Sequence, residues 1–174
     1  MRLSKHLFVY LFVPVLFICG CRTGSHEFKF SRFNASFFAI HTPEFPGARM
    51  LTKNDLPPEQ RRYFDEENAK LQLILDMNQN GVPEYIICGV SDSMLHRDQK
   101  GAYFIAMFEQ TEAGIQRRYL QRLWEAPVNL QPSDNHPNPS VVLSFAFHTD
   151  FAAEIYFEDN EYRLDKWFEE PEEF

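Results

Sequence analysis

Oxygen donors alternate along one short stretch, DMNQNGVPEYII at residues 76–87. Asp76, Asn78 and Asn80 stand two apart, Gly81 follows, and Glu84 closes the run before an apolar strand. Such spacing gathers side-chain oxygens on one side of a tight loop, as a hard cation such as calcium requires. In the helix–loop–helix calcium loop the ligands come from positions one, three, five, seven, nine and twelve, with glycine at six. Asp76, Asn78 and Asn80 match the first three, Gly81 the bend, the carbonyl of Val82 the seventh and Glu84 the ninth. Ile87 occupies the twelfth, where a bidentate Glu belongs, and the flanks read as strands, so the helix–loop–helix form is excluded. The charge comes from Asp76 and Glu84 alone, which places a site here at the weak end, about 10⁻⁴–10⁻³ M. An Asn-Gly pair also favours a type I′ hairpin turn without any ion. Metal loop and plain turn both remain open, and they are physically compatible.

The eighteen residues LILDMNQNGVPEYIICGV resemble the strand–loop–strand pattern DxNxDGxxE of FG-GAP and VCBS-type repeats, blades of β-propellers. The resemblance implies calcium as a structural ion on Asp76, Asn78, Asn80, Val82 and Glu84, and an extracytoplasmic binding or adhesion role. The chain departs from the pattern at Asn80, where the family carries Asp. A full propeller would also need several more copies. PSDNHPNPSVVLSF (132–145) sets a second Asp/Asn/Pro loop before an apolar strand, like a decayed copy without the glycine and the acid.

Other reactive residues lack a supporting pattern. Ser93, His96 and Asp98 lie close in one loop, but a catalytic triad is fixed by the fold and not by sequence adjacency. His148 and Asp150 with His136 or His41 show no metal-ligand spacing. A surface hydrolase is therefore only an alternative reading, and no residue is expected to be catalytic. Cys88, in YIICGV, reads as a small buried strand residue.

The amino terminus speaks about place. Arg2 and Lys5 precede an eleven-residue apolar run, Leu7–Phe17, broken only by Pro14. A spanning helix needs about 20 apolar residues, so the run suits an export signal instead. The signal ends in LFICGC, which resembles the lipobox of bacterial lipoproteins, with Ile18, Cys19, Gly20 and Cys21 in order. The resemblance implies cleavage after Gly20, diacylglycerol on the Cys21 sulfur, and attachment to the cell envelope. Two or more acyl chains anchor a protein stably. In Gram-negative families an Asp after the cysteine often retains the protein at the inner membrane. Arg22 stands there instead, so the outer membrane is the expected address.

Without residues 1–20, 15 basic and 25 acidic residues remain, a net of −10. Nucleic-acid binding depends on basic contacts to phosphate and is not expected. With Cys19 removed and Cys21 acylated, Cys88 is the last thiol and no internal disulfide is expected. The remaining partners are the membrane, through the anchor, and another envelope protein that this chain inhibits or assists.

These residues need a scaffold. Residues 21–27 read as a tether, 28–168 as one domain, and 169–174 (EEPEEF) as an acidic tail. Eighteen Phe, seven Tyr and two Trp favour pleated, half-buried surfaces, hence a β-rich core. Strands are expected at 28–33, 70–76, 85–91, 102–109, 140–148 and as a pair over 154–168. Residues 115–124 fit strand or helix, with strand preferred. One helix is expected from Asn54 or Asp55 to Asn68, with Pro57 and Pro58 in its first turn, and 125–140, with four prolines, is expected to be a long loop. The predicted fold is mainly β (α+β being the alternative), antiparallel, and sandwich- or propeller-blade-like with one early helix.

Overall fold

The computed structural model describes residues 30–97 and 101–167. Cys21, the tether, the acidic tail and Asp98 lie outside them. The described residues begin with a 3-10 turn, Phe30–Arg32, and run into helix α1, Ala35–His41. Over residues 30–41 these two elements replace the described part of the strand expected at 28–33 and the segment after it. Asn34 explains the switch: its side chain accepts from the Phe37 N–H at 3.0 Å, capping the helix. Phe33, Phe37 and Phe38 then turn together onto the sheet beneath.

Strand β1 (Ala48–Met50) follows, then a 3-10 turn at Lys53–Asp55 and helix α2 (Pro58–Glu66). Pro58 opens α2, as its fixed φ and missing N–H permit. Asp55 does not cap it. Its carboxylate accepts from Thr52 N at 2.8 Å and pairs with Arg49 at 2.7 Å. The Arg49 hydrogen bonds outweigh burial and hold Asp55 down to about 2.

Four strands then form a meander: β2 (Gln72–Leu75), β3 (Glu84–Ser91), β4 (Tyr103–Thr111) and β5 (Gly114–Leu123). The short helix α3 (Asp92–Leu95) interrupts the β3–β4 connection. Residues 115–123 are thus strand, and Trp124 follows it. A second meander has β6 (Asn129–Ser133), β7 (Ser140–Ser144), β8 (Ala152–Glu158) and β9 (Glu161–Lys166). Strand β6 lies inside the segment expected to be loop. Its Pro132 is tolerated because β6 is an edge strand, where a missing N–H costs no internal bond.

The first sheet runs β1-β3-β4-β5 with β2 also on β3, the second β6-β7-β8-β9, and every pairing is antiparallel. Strands hold 42% and helices 19% of the described residues, so the fold is mainly β and sandwich-like, as predicted. The sheets stack with one core between them. Ile86, Cys88, Val90, Ile105 and Met107 of the first meet Leu130, Val141, Leu143, Ala153 and Ile155 of the second. Period-two alternation turns Tyr85, Ile87, Phe104, Ala106 and Phe108 to the other face of the first sheet, where Phe33, Phe38 and Phe45 cover them. This double burial explains why β3 is buried along its whole length. Gly89 belongs to that arrangement: a Cβ there would stand 2.1 Å from the Phe104 ring, which lies across it. The sheets also meet at their edges. Leu130 N donates to Lys70 O at 2.7 Å, and the Tyr119 and Tyr162 rings lie 5.9 Å apart.

Candidate functional site

Strand β2 delivers the chain to the oxygen-rich loop, and Met77, fully buried, pins that loop to the core. The backbone takes positive φ at Gln79 (54°) and Gly81 (85°) but not at Asn80. A type I′ turn needs positive φ at both central residues, so Asn80-Gly81 does not form the one that the pair favours. The bend follows side-chain bonds instead. Asp76 Oδ1 and Asn78 Oδ1 both accept from Asn80 N, at 3.1 and 3.0 Å. Asp76 Oδ2 accepts from Gly81 N at 2.9 Å, and Asn80 Oδ1 from Val82 N at 2.7 Å.

Glu84 sits at the loop's far end, as the first residue of β3, with no exposed surface. Its Oε2 accepts from Met77 N at 2.8 Å and its Oε1 from Asn78 Nδ2 at 2.6 Å and from the Tyr162 hydroxyl. A buried carboxylate is tolerated only when its lone pairs are filled in this way. Burial, with a smaller contribution from Asp76, still pushes its pKa up against those hydrogen bonds. Across the β3–β4 ladder Glu84 faces Glu109, also buried, which accepts from Asn80 Nδ2 at 2.9 Å and pairs with Arg118. The structure therefore brings Asp76, Asn78, Asn80 and Glu84 together and adds Glu109, Arg118 and Tyr162, none of which the local motif names.

The donor set fits a hard cation in part. Convergence of Asp76 Oδ1 and Asn78 Oδ1 on one N–H sets two ligand-type oxygens side by side, and Val82 is half-buried next to them. Glu84 fits less well, because both its oxygens already accept from internal donors. Among the described residues no group of three or more His, Cys, Asp or Glu side chains is arranged to hold a metal.

A counterpart lies in the second sheet. Glu154 on β8 is buried and accepts from Ser140 Oγ at 2.5 Å and Asn135 Nδ2 at 3.1 Å. His136 Nε2 stands 3.7 Å from it, and the His136 ring stacks on Tyr156 with centroids 3.9 Å apart. Burial opposes ionisation of Glu154, but the hydrogen bonds of Ser140, Asn135 and Ser133, with the nearby His136, hold its pKa below the ordinary value. Sequence reasoning missed this cluster. The signal was a lone Glu inside the apolar run AAEIYF.

The remaining candidates separate. His148 lies against Glu67 and Tyr63, whereas His41 stacks on Phe37 and His136 belongs to the Glu154 cluster, so no shared metal site forms. Ser93 lies on α3 and His96 caps its end. Cys88 is fully buried in β3, and burial pushes its thiol pKa far up, which leaves it inert as a nucleophile. No helix among the described residues is long and apolar enough to cross a membrane. No protein-family model matches the chain, and neither does any curated protein or solved structure.

Proposed function

We propose that the chain is a lipid-anchored protein of the bacterial envelope, its two-sheet domain serving as a binding or structural module outside the cytoplasm. The observation that carries this reading is the run LFICGC, with Cys21 as the lipidated residue and Arg22 favouring the outer membrane. Labelled palmitate is expected to enter the full chain and to be lost in Cys21→Ala. Label retained in that variant overturns the anchor.

The same reading assigns calcium to the loop of residues 76–84. Asp76, Asn78, Asn80 and the Val82 carbonyl would hold it, with Glu84 behind them. The ion would supply positive charge to a corner that holds Asp76, Glu84 and Glu109, of which Glu109 is paired with Arg118. What the chain's own residues contribute is preorganisation: Met77 fixes the loop's root, and backbone N–H groups aim the Asp76 and Asn78 oxygens.

A further inference from the structure

Most arginines of the domain are engaged. Arg49, Arg117, Arg118 and Arg163 hold carboxylates, and Arg61 donates to the Leu56 and Asn54 carbonyls. Arg97 and Arg122 have no carboxylate partner among the described residues, and both line one cleft. It measures about 340 Å³, with Glu44, Pro46, Ser93 and Met94 as its other walls.

Two of the cleft's polar groups, Arg122 and Ser93, are held by close packing. The Arg122 guanidinium lies over the Phe45 ring at 5.2 Å, which holds it in place without neutralising it. Its stem passes Gly101, where a Cβ would stand 2.6 Å from Cδ. On the opposite side a Cβ at Gly47 would stand 2.9 Å from Ser93 Oγ. The backbone is thus thinned at two points, where two lining side chains pass. The nearby acids are engaged elsewhere. Glu44 receives both Arg117 nitrogens, at 2.9 and 3.0 Å, and Asp92 faces Arg49 at 2.9 Å. Among the described residues a surplus of positive charge is left in this cleft, on a chain whose formal charge is −8.

We propose that the cleft is an anion subsite for one phosphate or carboxylate group, gripped by Arg97 and Arg122 with the Ser93 hydroxyl as a third donor. Guanidinium forks suit planar or tetrahedral oxyanions. Pro46 and Met94 offer an apolar floor to whatever carries the group. Its source is either a small free anion or a phospholipid headgroup.

The test is calorimetric titration of the full chain in maltoside micelles with inorganic phosphate, citrate and water-soluble dihexanoyl-phosphatidylglycerol, the phosphatidylcholine homologue being the control. Saturable binding is expected, weakened roughly tenfold or more in Arg97→Ala/Arg122→Ala, as loss of charge-assisted hydrogen bonds implies. Binding of phosphate or citrate identifies a free anion as sufficient. Binding of phosphatidylglycerol alone identifies the headgroup. If none of the three binds saturably, or if a double variant with unchanged melting binds as well as the parent, the subsite does not exist. Should the double variant fail to fold, Arg97→Gln, at an exposed position, carries the test, and unchanged affinity there overturns the proposal.

Discussion

The two meanders follow one plan and differ in charge. In each, the loop between the first and second strands gives an asparagine to a buried glutamate on the third strand: Asn80 to Glu109 at 2.9 Å, Asn135 to Glu154 at 3.1 Å. A basic residue answers each glutamate, Arg118 in the first sheet and His136 in the second. Each second strand opens with a buried polar residue just after a proline, Glu84 after Pro83 and Ser140 after Pro139. The difference lies there. Ser140 donates a hydrogen bond to its glutamate, whereas Glu84 adds a second carboxylate and has to draw donors from Met77, Asn78 and the other sheet's Tyr162. The second corner is self-sufficient, and the first carries unbalanced negative charge. A shared scaffold can thus close one corner on itself and tie the other to the opposite sheet.

The largest expected effect is from Glu84→Ala, which takes the acceptor from the buried Met77 N–H and the half-buried Tyr162 hydroxyl and should cost about 3 kcal/mol or more in urea unfolding. Ser140→Ala removes a neutral donor and should cost clearly less; equal losses would break the contrast. Tyr162→Phe comes next, at about 1.5–3 kcal/mol for one hydrogen bond to a charged group.

Opposite pH trends should separate the two glutamates. Glu84 has a raised pKa in the fold, so the folded state binds its proton more tightly than the unfolded chain does. Its stabilisation is complete below the ordinary carboxylate range and is lost as pH rises through the raised value. Glu154 has a lowered pKa, so its stabilisation is present above the ordinary range and lost as pH falls through the lowered value. Relative to the parent, Glu84→Gln should remove a downward slope of stability with pH, and Glu154→Gln an upward one. Each slope is bounded by about 1.4 kcal/mol per pH unit for one proton. Denaturant midpoints across pH 3–7 check both signs (roughly the carboxylate window).

Calcium gives the smallest effect. Against chelator, ~1 mM calcium should stabilise the fold by about 0.4–1.4 kcal/mol if the site is as weak as its charge implies. Asp76→Asn should remove that gain and Asp134→Asn, in the second loop, should not. An unchanged melting midpoint in the parent removes the ion.

Much of the architecture was legible because burial writes itself into composition. YIICGV and AYFIAMFE are apolar on both faces, which only a strand covered on both sides tolerates, and β3 and β4 are such strands. Helix α1 was hidden by the alternation of Phe28 and Phe30, and its Asn34 cap was overlooked. Strand β6 was hidden by its proline-rich surroundings, although an edge position removes the objection to Pro132. At the candidate site, Asp76, Asn78 and Asn80 were legible as a local pattern of oxygens. Glu109, Arg118 and Tyr162 were not, because register and sheet stacking bring them there. Tyr162 meets a residue 78 positions away.

That distance has a kinetic consequence. Glu84 gains its Tyr162 donor only when the second meander docks, so in a half-assembled chain its carboxylate keeps water on that side. Its full desolvation therefore belongs late in folding, beyond the point where the local hairpins have closed. Substitutions at Glu84 and Tyr162 should act mainly by hastening unfolding and leave the folding rate almost unchanged. The contact between the sheets would then govern how long the domain lasts more than how fast it forms.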